Sequence, residues 1–218
     1  MRVNPRLLLA PLMAVLLAVG VKAYLGWAET QPTTLKQDLP QLQAALAGSH
    51  WISPGLAPAQ VTRRTLYMVS FRSCPYCVDY ETVEFPRLQK AGVDTRVILF
   101  ARRDQDGEAH STPAERATVA QIWRSRDWGL YQHWTATPVA SWPTSGQVPP
   151  SADTDPARQA AVEASRVAVE HIGAALASNG VELHYPGLIY QTADGRWRAF
   201  IGYDPKAAAA IRADLGIS

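Results

Sequence analysis

The sequence predicts an α/β domain built on a central mixed sheet, with a helical insertion between its two halves. Three observations carry that expectation. A compact apolar run, Leu66 to Phe71, ends just before Cys74-Pro75-Tyr76-Cys77, and a helical pattern follows. A long polar stretch of helical character, about 111–180, then separates this unit from the rest. Near the C-terminus, Leu188 to Gln191 and Trp197 to Ile201 flank Asp194-Gly195, a residue pair suited to a hairpin turn.

Taken in order, the chain begins with Arg2 and Arg6 ahead of an apolar run from Leu7 to Val21, the layout of an export signal. Gly26-Trp27-Ala28 offers a small-x-small cleavage site, yet Ala23 to Trp27 extends the run to about the 20 residues of a membrane span, with Lys22 snorkelling. Residues 1–28 are therefore expected to be a signal peptide or an uncleaved membrane anchor, and the remainder is expected to work outside the cytosol. Residues 29–60 read as a short helix and connector. Leu35, Leu39, Leu42 and Leu46 recur at helical spacing within Thr34 to Ala47, although Pro40 bears on where that helix starts, and Trp51 to Pro58 is rich in turn residues.

The main domain is expected over 61–218. Its first strand is Leu66 to Phe71, followed by a helix from Cys77 to Lys90, kinked or shortened by Pro86, and a strand from Val93 to Phe100. Thr112-Pro113-Ala114-Glu115 fits a capping box opening a helix that runs towards Trp128 or Trp134. Thr135 to Pro156, dense in Pro, Ser and Thr, reads as a flexible surface loop. Asp155-Pro156 opens a further helix that stops at Asn179-Gly180, the hairpin follows, and Asp204-Pro205 opens the last helix. The order strand, helix, strand, helical insertion, hairpin, helix is that of a thioredoxin-like fold.

Composition narrows the classes. The 218 residues suffice for one well-buried domain, and 47% hydrophobic with 18% charged residues is a globular balance. The net charge is +2 with Lys and Arg scattered, which excludes a nucleic-acid groove. Seven tryptophans point to a packed core with some aromatic surface.

The chemistry lies in the two cysteines, the only ones in the chain. A disulfide across so short a loop adds little as a staple, because the loop it closes is tiny. It serves better as a bond that is made and broken. Thiol–disulfide exchange needs an attacking thiolate and a nearby thiol to resolve the mixed disulfide. Cys74, at a helix N-terminus where free N–H groups and the dipole favour an anion, is the expected nucleophile, and Cys77 the resolving thiol. Pro75 suits the first helical turn, Tyr76 completes the active-site loop, and Arg72 either adds positive potential or faces solvent. Tyr185-Pro186 precedes the strand Leu188 to Gln191. In thioredoxin folds a cis-proline there faces the cysteines and leaves the preceding backbone free for a substrate peptide, so Tyr185 and Pro186 are the substrate-binding candidates. His184 either approaches the sulfurs or is an ordinary loop histidine. Half of a zinc site is the competing reading of Cys-x-x-Cys, but His50, His110, His133, His171 and His184 form no pair at ligand spacing, and neither metal nor other cofactor is expected.

Gly48-Ser49-His50-Trp51-Ile52, the strand before Ser73-Cys74-Pro75-Tyr76-Cys77, and Tyr185-Pro186-Gly187-Leu188-Ile189-Tyr190 with Asp194-Gly195 together resemble the thioredoxin-fold disulfide proteins of the bacterial periplasm, specifically the DsbC/DsbG branch. The resemblance spans about Ala45 to Ser218, and Cys-Pro-Tyr-Cys matches DsbG. It implies a periplasmic isomerase or reductase that acts on cysteine-containing exported proteins and is kept reduced by a membrane redox partner. Three features depart from that pattern. Residues 29–60 are too few for the branch's N-terminal dimerisation domain. Tyr185 stands where threonine is usual. Met68 occupies the strand position at which thioredoxin has a buried acid, leaving Glu81 or Glu84 to substitute, or simply to be solvated. A net oxidant of the DsbA type, or a non-catalytic assembly or metal-carrying factor on the same fold, are the alternatives.

Overall fold

A computed structural model describes residues 31–55 and 64–217. The expected signal or anchor, residues 1–28, lies outside the described residues, as does most of the connector after Gly55. The chain divides into two units, Met1–Gln31 and Pro32–Ser218, and the second carries every element that follows. Among the described residues no helix is long and apolar enough to cross a membrane.

Five strands form one mixed sheet: β1 (Thr33–Thr34), β2 (Thr65–Ser70), β3 (Asp94–Leu99), β4 (Gly187–Gln191) and β5 (Trp197–Ile201), in the order β1-β5-β4-β2-β3. The central strand β2 is buried from Leu66 to Ser70, which explains its continuous apolar run. It pairs in parallel with β3, and a parallel pair requires a crossover, supplied by helix α2 (Pro75–Lys90). Helix α2 passes through Pro86 without being shortened. On its other edge β2 pairs antiparallel with β4, and β4 with β5.

Helix α1 (Leu39–Gly48) starts five residues later than its leucine spacing predicts. An earlier start would put Pro40 inside the helix without a donor for its turn. Thr33 and Thr34 instead pair with Ala199 and Arg198 of β5. The link between strand and helix is held by Asn179, whose side-chain oxygen accepts from the backbone N–H groups of Lys36 (2.6 Å) and Gln37 (2.8 Å).

Between β3 and β4 lie helices α3 (Pro113–Ser125), α4 (Trp128–Ala136) and α5 (Pro156–Ala177), with a 3-10 helix at Val139–Thr144. The predicted capping box opens α3: Thr112 Oγ1 accepts from the Glu115 N–H, and the Glu115 carboxylate from the Thr112 N–H. The single helix expected towards Trp134 is broken at Arg126, which adopts a left-handed conformation with φ 53°. The largest correction concerns Thr135 to Pro156. It is no flexible surface loop: Trp142 within it is 1% exposed and donates its indole N–H to Thr118 Oγ1 on α3 at 3.0 Å. Pro, Ser and Thr set the local composition, but one tryptophan buried on α3 fixes the segment.

The sheet carries a core on each face. One joins β2 and β4 to α2, α3, α4, the 3-10 helix and the last helix α6 (Pro205–Asp214), with Met68, Leu88, Trp134 and Trp142 at its centre. The other packs α1 and α5 through Leu42, Leu46, Val69, Ile98 and Ile172.

Candidate active site

Cys74 and Cys77 stand at the junction of β2 and α2, joined by a disulfide. Cys74 is the N-cap of α2: its Sγ accepts the Cys77 backbone N–H at 3.2 Å. Pro75 takes the first helical position, where no N–H partner is needed. Helix α2 thus begins two residues earlier than Cys77. Both cysteines are buried, Cys74 at 3% and Cys77 at 1% exposure, whereas Tyr76 between them is 60% exposed. A groove of about 510 Å³ reaches Cys74 but not Cys77, with Arg72, Ser73 and Pro75 on one side and Thr135 to Val139 on the other.

The antiparallel register pairs Val69 with Gly187, so the chain leaving β2 towards Cys74 and the chain arriving at β4 through Tyr185 and Pro186 meet at one end of the sheet. The Tyr185–Pro186 bond is cis, as expected. Pro186 O accepts from the Gly202 N–H at 2.8 Å, while the backbone N–H and C=O of Tyr185 have no partner among the described residues. The chain approaches closely at Gly187, where a Cβ would lie 3.3 Å from the His184 carbonyl and 2.5 Å from Leu183 Cδ1, a side-chain end that would have to turn aside. His184 is exposed, with its Nε2 3.4 Å from Glu182.

Arg72 is buried rather than solvated. Its guanidinium donates to the carbonyls of Thr135 and Thr137, at the C-terminal end of α4 where a cation is favoured, and lies 5.9 Å from the Trp134 ring centre. Burial pulls its pKa below the ordinary value, partly offset by Tyr131 and Glu81. Of the two acids considered in place of the missing strand carboxylate, Glu84 is buried but paired with Arg87 and Arg212. Glu81, one turn beyond Cys77 on α2, is half-buried and accepts a hydrogen bond from the hydroxyl of the fully buried Tyr131. Desolvation raises its pKa to about 7, against the opposing hydrogen bond from Tyr131 and the charge of Arg72. Met68 fills its strand position as a fully buried core side chain.

Sequence reasoning missed the wall from Thr135 to Val139 and the Tyr131–Glu81–Arg72 cluster behind it. No local signal marks either, because each depends on partners 50 or more residues away, Tyr131 to Glu81 across 50 and Arg72 to Thr137 across 65.

Comparison with protein-family models and with curated proteins finds no match. Solved structures do match. The chain is similar to a periplasmic thioredoxin-like protein from Salmonella enterica serovar Typhimurium, at 14% identity and a TM-score of 0.53, covering 83% of this chain and 99% of that one. It is also similar to the catalytic domain of Proteus mirabilis ScsC, at 11% identity and a TM-score of 0.52, covering 81% and 96%. A structure of Proteus mirabilis ScsC in a transitional conformation aligns at 13% identity and a TM-score of 0.51, covering 98% and 90%. At these identities the likeness establishes the fold: an α/β, thioredoxin-like architecture with a central mixed sheet.

Proposed function

We propose that the protein is a thiol–disulfide oxidoreductase acting on cysteine-containing exported proteins, with Cys74 as the exchanging and Cys77 as the resolving sulfur. The observation that carries this reading is the Cys74–Cys77 disulfide at the N-terminus of α2, with a groove open to Cys74 alone. In the oxidising direction a substrate thiolate attacks Cys74 Sγ, the Cys74–Cys77 bond breaks, and Cys77 leaves as a thiolate. A second substrate thiolate then attacks the substrate sulfur of the mixed disulfide, releasing Cys74 with two electrons gained. Reduction or isomerisation runs the same steps from the dithiol. The N-cap position stabilises the Cys74 thiolate, and the unpaired Tyr185 backbone beside cis-Pro186 offers a donor and an acceptor to an extended substrate chain.

The finer reading is a reductase or isomerase of the DsbC/DsbG kind, supported by Cys-Pro-Tyr-Cys and by the Tyr-Pro-Gly run into β4. A periplasmic setting, a membrane electron donor and tethering through the N-terminal segment belong to that reading. A DsbA-type net oxidant is favoured instead by the helices α3 to α5, which are packed into the core rather than appended to it. The reduction potential of the pair in glutathione buffers separates a reductase from an isomerase or oxidant. A strongly reducing pair supports a reductase fed by a membrane donor, and a markedly oxidising pair an isomerase or oxidant. Absence of a reversible two-electron transition would overturn the redox reading altogether. Cys74→Ser should abolish exchange, whereas Cys77→Ser should accumulate the mixed disulfide on Cys74.

A further inference from the structure

Successive residues of an extended chain point to opposite faces. Arg72 turns towards Trp134, while Phe71 turns to the face covered by α5. On that second face a cleft of about 530 Å³ opens between the ends of β2 and β3, α5, and the segment before the cis-proline. Its wall is aromatic. Phe71, Phe100 and Tyr185 form a mutually contacting trio, with ring centres 5.0–6.0 Å apart.

The cations at this cleft are not equivalent. Arg103 is paired with Glu163 and Glu170. Arg166 donates to the carbonyls of Ala101 (2.9 Å) and Arg102 (3.1 Å) and lies 3.6 Å from Glu163. Arg102 has no carboxylate partner among the described residues. It stacks 4.2 Å from the Phe71 ring centre, donates once, to Ser73 Oγ at 3.1 Å, and leaves its buried Nε without a partner. A guanidinium has five donors in a fork that matches a carboxylate. Two of its lining residues adjoin the exchange motif: Arg102 donates to Ser73, which precedes Cys74, and Tyr185 precedes cis-Pro186.

Building on the oxidoreductase reading, we infer that the cleft reads the residues flanking a substrate protein's cysteine: an apolar side chain rests on the Phe71–Phe100–Tyr185 wall, and an acidic side chain pairs with Arg102. The occupant is a substrate segment, because the cleft is lined by Arg102, which holds Ser73 beside Cys74, and by Tyr185 beside cis-Pro186, and it combines an apolar wall with a cation that has no carboxylate partner among the described residues. Arg102 is then a specificity determinant for acidic, aromatic surroundings of the target cysteine.

The test uses the full-length oxidised protein and single-cysteine peptides carrying one Phe and either Glu, Gln or Lys, placed two residues before or two residues after the cysteine. The peptide thiolate attacks Cys74 Sγ as the Cys74–Cys77 bond breaks and Cys77 leaves as a thiolate. The initial rate of this mixed disulfide, trapped by acid and read by mass spectrometry, is divided by the same peptide's rate with neutral bis(2-hydroxyethyl) disulfide, which removes differences in intrinsic thiol reactivity. On at least one side of the cysteine, Glu should exceed Gln by about five-fold at low salt, with Lys slower still. That preference should fall below about two-fold near 0.5 M salt. In Arg102→Gln the Glu-to-Gln ratio should be about one at any salt. Equal rates for Glu, Gln and Lys in the unmodified protein overturn the inference, as does a Glu preference that survives Arg102→Gln. If that variant does not fold, the salt series and the Lys peptides decide. Reaction with none of the peptides would overturn the oxidoreductase reading, and this one with it; equal reaction with all of them overturns this one alone.

Discussion

Two tyrosines bracket the cysteine motif, and their environments differ. Tyr131, on the wall built by α4, is 2% exposed and donates a hydrogen bond from its hydroxyl to Glu81, behind the groove at Cys74. Tyr185, on the cis-proline side, is half-buried, and its hydroxyl has no partner among the described residues. The first wall is a closed polar cluster. It buries Arg72 and leaves Arg72 Nε, His133 Nε2 and Trp134 Nε1 without partners among the described residues. The second is an open aromatic surface edged by one uncompensated guanidinium. Under the proposed oxidoreductase reading, the first wall sets the charge and packing beside Cys74, and the second receives substrate side chains.

The largest effect that would break this comparison is the removal of the anchor of the first wall. Trp142→Ala deletes a buried indole and its hydrogen bond to Thr118, and should cost about 3–5 kcal/mol, measured by urea unfolding. If the segment from Val139 to Thr144 were only a surface loop, the cost would stay below about 0.5 kcal/mol. Tyr131→Phe should cost less, about 1–3 kcal/mol, because it keeps the ring but leaves a half-buried carboxyl without its donor. Since that hydrogen bond holds the Glu81 pKa down, its loss should also move Glu81 ionisation to higher pH.

Glu81 itself gives a pH signature. Its folded pKa, raised to about 7 from an ordinary 4.5, means that the folded state holds the proton more tightly than the unfolded chain does. Its favourable contribution is therefore complete below about pH 4.5 and is lost as pH rises through about 7. Glu81→Gln removes that decline. The variant should gain on the unmodified protein between pH 5 and pH 8 by on the order of 1 kcal/mol, less than the full linkage because the side chain is only half-buried. Parallel stability curves for the two proteins across this range would show that Glu81 keeps an ordinary carboxylate pKa in the fold.

What could be read from the sequence follows the range of the interactions concerned. Strand β2, the capping box at Thr112 and Glu115 and the hairpin at Asp194-Gly195 were legible because each depends on residues within a few positions, and the cis-proline because the order of elements puts Tyr185-Pro186 where thioredoxin-like folds carry one. The start of α1 misled because four leucines kept helical spacing across Leu35, which is buried but packs from an extended segment beside β5. Thr135 to Pro156 misled because its local composition is that of a loop while its conformation is set by Trp142 against α3. The two cysteines, Pro75, Tyr76, Tyr185 and Pro186 lie together at one end of the sheet, but the walls around them were not legible. Burial of Arg72 and Glu81 becomes tolerable only once α4 brings its C-terminal carbonyls and Tyr131 to them, and neither residue's own surroundings in the chain reveal that.

The smallest expected effect sharpens the comparison most. Tyr185→Phe removes a hydroxyl with no partner, keeps the ring in contact with Phe71 and Phe100, and should change stability by less than about 0.5 kcal/mol. The same chemical change at Tyr131 should cost several times more, so the pair of variants measures the difference between the walls with one atom deleted in each. If Tyr185 acts as an apolar surface, its Phe variant should also retain the rate of mixed-disulfide formation with an aromatic peptide, whereas Tyr185→Ser should lower it. A Phe variant that loses rate while keeping stability would mean that the hydroxyl itself contacts the substrate. The cis-proline wall would then recognise substrate through a polar group as well as its rings, and the contrast with the closed polar cluster opposite would have to be redrawn.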